Sequence, residues 1–156
     1  KQAIDVPIIA AGGIGSSQAM LASFALGADG VQIGSRFAAS TESSAHINFK
    51  KEIIMASEND TILTLKELAP VRILKNPFYT KIFDAYQNGT TTHELKVLLG
   101  RGRAKKGMFD GNLEEGELEI GQVSAQISEI KTVDEIMEEL TEGFKRAKNN
   151  LNNFDF

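Results

Sequence analysis

Val6-Pro7-Ile8-Ile9-Ala10-Ala11-Gly12-Gly13-Ile14-Gly15 and Asp29-Gly30-Val31-Gln32-Ile33-Gly34-Ser35-Arg36-Phe37 decide how this chain is read. Residues 6–10 predict a short parallel strand, apolar on both faces. Pro7 fits only at its start, where a missing donor is tolerated. Residues 11–15 form a glycine-rich turn, and Ser16 or Ser17 caps a helix running to about Leu26. Ala19, Met20, Leu21, Phe24 and Ala25 give that helix an apolar face, and Gly27 ends it. Residues 31–33 predict a second strand. A strand, helix and strand within about 30 residues have the size of a βαβ crossover, and alternating β and α elements imply a parallel sheet. Both strands end in glycine-bearing turns on one edge of that sheet, where folds of this type bind ligands.

The chemistry of those turns suits a phosphate. A dianion needs several backbone N–H groups at close range. Gly12 and Gly13 lack a Cβ, so the backbone can turn sharply and approach the oxygens. The helix that starts near Ser16 directs its first N–H groups and its partial positive charge the same way. Gly34-Ser35-Arg36 adds further N–H groups and a hydroxyl. In (β/α)₈ barrels, loops after strands 7 and 8 commonly build one phosphate site together. A lone Gly-Gly after a strand reads simply as a turn; two such turns in register are more specific. The spacing of Gly12, Gly13 and Gly15 does not fit G-x-G-x-x-G, and no acidic residue ends the next strand, so this is not a dinucleotide fingerprint.

Beyond Phe37 the pattern changes. Residues 43–57 predict a helix with Phe49, Ile53, Ile54 and Ala56 on its apolar side. Residues 61–65 read as a short strand or an extended segment, and Pro70 and Pro77 break the chain. Residues 78–88 and 92–99 predict two helices, 100–119 a long ordered loop, and 121–130 a short helix. Thr132 opens the last helix with Glu135 as its capping-box partner. Its stripe is Val133, Ile136, Met137, Leu140 and Phe144, and the tail 149–156 is expected to fray.

Composition narrows the class. The 156 residues are 42% hydrophobic and 24% charged, with net charge −4, so a folded domain is expected. The acidic balance gives no argument for nucleic acid or an anionic membrane as partner. The chain has no cysteine, which excludes disulfides, thiolate nucleophiles and Cys-ligated metals. No apolar run approaches the ~20 residues of a membrane span, and a cytoplasmic location is the expectation. A strand pattern follows almost directly on Lys1, so residue 1 is read as a cut within a longer polypeptide.

The stretches 6–14 and 25–37 resemble the nitronate monooxygenase family (2-nitropropane dioxygenases). The same two motifs occur in flavin-dependent enoyl-acyl carrier protein reductases and, more loosely, in inosine monophosphate dehydrogenases. The resemblance continues through Gly107-Met108-Phe109 and 117–124. It implies an α/β fold, a partial (β/α)₈ TIM barrel represented by strands 7–8 with an FMN phosphate site, plus a C-terminal helical extension. The whole of 1–156 is then the C-terminal portion of one FMN-binding domain, with 1–40 its last βαβ unit and 41–156 the extension. The resemblance places Gly13 and the stretch Gln32, Ile33, Gly34 and Ser35 beside the FMN phosphate and ribityl chain, with Gly12 a neighbour. It implies oxidation of alkyl nitronates with O₂. The family's histidine base is expected before residue 1, so no catalytic residue is assigned and this chain alone is expected to be inactive.

Other residues read differently. His46 and His93 match no catalytic position. His46, beside a helix start, reads as an exposed or helix-end residue or as one lining the active-site mouth. Two distant histidines give a transition metal little support. Arg101, Arg103, Lys105 and Lys106 read as a solvated loop with local charge pairing, and Glu114, Glu115, Glu117 and Glu119 as a solvated strand or loop. Gln122 and Ser124 stand either at a helix start facing the flavin or in a helix packed under the barrel. Arg36 is expected to be structural or to assist the phosphate. Alternatives to the nitronate reading are a flavin-dependent enoyl-acyl carrier protein reductase and, in another class, a non-catalytic flavin-binding or interaction protein. A homo-oligomer would cover open sheet edges.

Overall fold

The computed structural model describes residues 3–153. Its first unit is β1 (Ile9–Ala11), α1 (Ser17–Ala25) and β2 (Gly30–Gln32), with the two strands parallel and Ile9, Ala10 and Ala11 opposite Gly30, Val31 and Gln32. β1 starts three residues later than the apolar run suggests. Ahead of it, Ile8 is held from both sides by Asp29: its N–H donates to Asp29 Oδ2 at 2.9 Å and its carbonyl accepts from Asp29 N at 2.7 Å. Val6 and Ile9 are exposed within this chain, so the strand is not buried on both faces. A Cβ at Gly30 would stand 2.8 Å from Ile9 Cδ1, the free end of an exposed side chain that can turn aside.

α1 begins and ends where its local chemistry says. Ser16 Oγ accepts from Ala19 N at 3.2 Å. At the other end Gly27 takes φ +97° while Ala28 N and Gly27 N donate to Ser23 O and Phe24 O, which is a Schellman closure. The last helix, α6 (Val133–Leu151), opens with the expected Thr132–Glu135 capping box. It returns to α1: Phe24 meets Phe144 edge-on at 5.6 Å, and Ser17 Oγ donates to Glu139 O at 3.0 Å. Gly143 allows this approach, because a Cβ there would lie 2.1 Å from Ser17 Oγ. Ile136 and Leu140 are buried as expected, but Met137 stands exposed at the rim of the stripe. Helix α6 reaches Leu151, so residues 149–151, expected to fray, are helical, and residues 154–156 lie outside those described.

Between the two halves of that pair the chain makes an excursion. It comprises α2 (Ser35–Ala38), α3 (Ile47–Met55), β3 (Thr61–Thr64), β4 (Val71–Leu74), α4 (Pro77–Gln87), α5 (Thr92–Leu99), a π-helical turn Lys105–Phe109 and a 3-10 turn Gln122–Gln126. α3 is shorter than residues 43–57 because His46 caps it, accepting from Asn48 N at 3.1 Å. β3 and β4 pair antiparallel, Thr61 opposite Leu74. The supposed loop 100–119 is partly ordered as backbone structure. Leu74 N donates to Leu118 O at 2.9 Å and Ile120 N to Arg72 O at 3.1 Å, so its end lies along β4. Residues 121–130 form only the short 3-10 turn rather than an α-helix. Among the described residues the strands make two separate two-stranded sheets, and no sheet closes.

Two apolar clusters hold the excursion. One gathers Phe49, Ile53, Leu74, Leu118 and Ile127; the other gathers Leu65, Ile73, Phe78 and Ile82. Arg103 pins the second. Its guanidinium lies 4.6 Å from the centre of the Phe78 ring and donates to the carbonyls of Leu98, Leu99 and Glu115 and to Glu115 Oε2. The expected local charge pairing of the basic run is therefore realised at Arg103, as a fixed structural cross-link.

The acidic run is not uniformly solvated. Glu117 is only 7% exposed. Burial pushes its carboxyl above the ordinary value of 4.5, the neighbouring Glu119 adds to this, and Arg103 partly opposes it. A carboxyl raised in the folded state destabilises the fold when ionised. That penalty is absent below the ordinary value and complete above the raised one. Glu117→Gln is therefore expected to raise the melting temperature at neutral pH and to change it little below about pH 4. An equal shift at both pH values, read by calorimetry, would assign the effect to packing instead.

Candidate functional site

The two glycine turns converge. Ala11, Gly12, Gly13 and Ile14 from the first, and Gln32, Gly34 and Ser35 from the second, line one cradle of about 220 Å³. Gly12 and Gly13 sit at φ +89° and +72°. This left-handed region carries the chain over the cradle without a side chain and is disfavoured for other residues. A Cβ at Gly12, Gly13 or Gly34 would meet no atom of the chain within 4 Å. Space is thus left open at the turns. α1 follows the first turn and α2 the second, and their opening N–H groups have no intrahelical acceptor. Among the expected site residues, Gly12, Gly13, Gln32, Gly34 and Ser35 come together, whereas Ile33 is half-buried and does not line the cradle.

A third wall comes from far along the chain. Gly121 and Val123 complete the cradle. Gly121 N donates to Ser35 Oγ at 3.2 Å. With that lone pair engaged, the Ser35 hydroxyl hydrogen is still available for an acceptor in the cradle. A Cβ at Gly121 would approach Ser35 Oγ to 2.8 Å and turn that hydroxyl away from its present position; Gly15 must be glycine because a Cβ would lie 2.3 Å from Cγ2 of the buried Val123. Among the described residues, no ionised side chain lines the cradle. An anion held there would be met by backbone N–H groups, one hydroxyl and the Gln32 amide.

Arg36 does not line it. Its guanidinium donates to Glu139 Oε2 on α6 at 2.7 Å, and Glu139 also pairs with Lys131 at 2.9 Å. The Arg36 contact holds the Glu139 carboxyl below the usual carboxylate value, with Lys131 contributing. Of the two roles expected for Arg36, the geometry displays the structural one. The next turn places its two polar residues differently. Gln122 is exposed, on a neighbouring concavity, while Ser124 is fully buried and its hydroxyl has no hydrogen-bond partner among the described residues. His46 is a helix cap held against Gly111, where a Cβ would clash with its ring at 2.1 Å. Among the described residues, no group of three or more His, Asp or Glu is placed to hold a metal, and no helix is long and apolar enough to cross a membrane.

The chain as a whole is similar to known proteins. The family description "Nitronate monooxygenase" matches residues 1–143. A Staphylococcus saprophyticus protein named "Probable nitronate monooxygenase" is 33% identical over 120 residues, which is 76% of this chain and 34% of that protein. Among solved structures, FabK from Thermotoga maritima is 38% identical with TM-score 0.85, over 97% of this chain and 48% of that one. Nitroalkane oxidase from Streptomyces ansochromogenes is 27% identical with TM-score 0.72, over 96% and 42%. The chain thus spans between a third and a half of the length of these proteins.

Proposed function

The chain belongs to the nitronate monooxygenase family, a family of oxidoreductases, and from that premise we propose that its paired turns hold the phosphate end of FMN in an enzyme that oxidises alkyl nitronates with O₂. The observation that carries the proposal is the single cradle formed by Gly12, Gly13, Gln32, Gly34 and Ser35. The residues fit a phosphate monoester. Both turns leave room at their glycines, two helices begin beside them, and no carboxylate lines the wall to repel an anion. Gly12, Gly13, Gly34 and Ser35 would hold the phosphate, and Gln32 would donate to the ribityl side. When bound, the flavin supplies the redox chemistry between nitronate and O₂.

On this reading β1 and β2 are the last two strands of a (β/α)₈ barrel, and α6 is the barrel helix that returns beside α1. Residues 39–131 would then be an excursion over the barrel's mouth. On the same reading the site would lie at the carboxyl ends of the strands, where such barrels carry their chemistry. No catalytic base is assigned among the described residues.

A second reading is a flavin-dependent enoyl-thioester reductase. Its support is the closer likeness to FabK than to nitroalkane oxidase, 38% against 27% identity. The protein in its complete natural form, loaded with FMN, separates the two. Propyl-2-nitronate is expected to drive O₂ uptake without a nicotinamide. Oxidation of NAD(P)H dependent on an enoyl thioester, with no uptake on nitronate, would overturn the first reading in favour of the second. Turnover of neither would leave a binding protein.

A further inference from the structure

Beside the cradle lies a second concavity of about 360 Å³, which shares Gly13 and Val123 with it. Its walls are the α3–β3 loop and the 3-10 turn. The backbone of both is fixed. Asp60 Oδ2 accepts from Ser57 N at 2.7 Å, Asp60 O accepts from Lys75 N at 2.9 Å, and Asn59 is held at φ +72°. The turn is anchored by buried Val123 and by the Gly121–Ser35 bond. On this fixed frame stand the side chains of Glu58, Asn59, Gln122 and Gln126, all exposed. Among the described residues, their amides and carboxylate find no hydrogen-bond partner.

The lining sorts ligands by charge. Glu58 is the one ionisable residue among the lining residues, and neither lysine nor arginine accompanies it. An anion would meet a carboxylate and no counter-charge. A neutral group with amides or hydroxyls would meet three carboxamides, each offering both donor and acceptor. The volume falls in the range of small-molecule sites.

We propose that this concavity is a second ligand subsite, taking the uncharged, amide- or hydroxyl-bearing arm of a substrate that extends beyond its reacting carbon, through Asn59, Gln122 and Gln126, with Glu58 excluding anionic arms. The inference rests on the flavin reading above for its position beside the cofactor. It assigns the protein a substrate longer than a simple nitroalkane.

The test uses the complete natural protein, FMN-loaded and ¹⁵N-labelled. The probes are N-acetylglycine N-methylamide, a neutral diamide, and N-acetylglycine, its anionic counterpart. The side-chain amide signals of Asn59, Gln122 and Gln126, assigned by single substitution, are expected to shift saturably with the diamide. The acid is expected to bind at least about fivefold more weakly, and Glu58→Gln to abolish that discrimination. Gln122→Ala combined with Gln126→Ala should weaken the diamide about tenfold with flavin content unchanged. These residues are exposed, so the variants leave the core intact. Equal binding of acid and diamide, or shifts confined to other residues, would overturn the proposal. Flavin absorbance scores the cofactor reading separately. A protein without FMN that still shows the diamide shifts loses the cofactor assignment and keeps the subsite, whereas a yellow protein without the shifts loses the subsite alone.

Discussion

Gly13→Val is expected to give a protein that folds and purifies colourless. Gly13 lies in the cradle wall at φ +72°, and a Cβ there would touch no atom of the chain within 4 Å. The substitution therefore meets little resistance from packing. It pays a local backbone penalty of about 1–2 kcal/mol for a non-glycine residue in the left-handed region. The larger effect falls on the ligand. The added methyl groups stand where phosphate oxygens would approach the turn, and they displace the N–H groups that would bond to them. Losing two charge-assisted N–H···O bonds removes on the order of 3–6 kcal/mol of binding. That is about a hundredfold or more in affinity. Flavin absorbance per protein, measured beside circular dichroism on the complete natural protein, reads both halves of the expectation. A fully yellow variant would show that the phosphate is held elsewhere, and the cradle would lose its assignment.

Phe78→Ala is expected to destabilise the fold strongly. Phe78 is 0% exposed and sits in the cluster with Leu65, Ile73 and Ile82. Truncating a buried phenylalanine removes its transfer free energy and leaves a cavity, together about 3–5 kcal/mol. The guanidinium of Arg103 also loses the ring it lies over, a further contribution of roughly 0.5–2 kcal/mol when partly desolvated. Much of a domain's net stability of about 5–15 kcal/mol would go. Denaturant unfolding should show the midpoint falling sharply. Phe78 does not line the cradle, so protein that remains folded should retain FMN. A loss below about 1 kcal/mol would mean that the cluster repacks around the gap, and the cross-link by Arg103 would then be incidental.

The glycine turns and the helix within residues 12–36 were readable in detail because their structure is local. Ser16 caps the helix three residues on, Gly27 closes it, and Gly12 and Gly13 take backbone angles that only glycine adopts freely. The capping box of α6 was legible for the same reason. Hydrophobic period alone misplaced the start of β1 and overextended α3. An apolar run says which residues prefer burial, whereas strand limits are set by the partner: here Gly30, Val31 and Gln32.

What lies between was less legible, since its structure is made by residues far apart. β4 has an ordinary composition, and it becomes a strand because β3 lies on one side and residues 118–120 on the other. Glu117 carries the same side chain as Glu114 and Glu115, yet it alone of the three is buried, because Arg103 and the close approach of Gly107 bring its backbone inward. A run of like charges gives no sign of such a difference.

The sequence by itself determined the two glycine turns, the helix between them and the capped helix at the end, since each is specified by residues within a few positions of one another. Tertiary structure alone decided that Gly121 and Val123 form the cradle's third wall, that Arg36 turns to Glu139 instead of the cradle, and that Gln122 and Asn59 share a concavity. These arrangements join residues between 63 and 112 positions apart. No local propensity encodes such contacts; they exist only once α6 has packed on α1 and the excursion has closed over the turns.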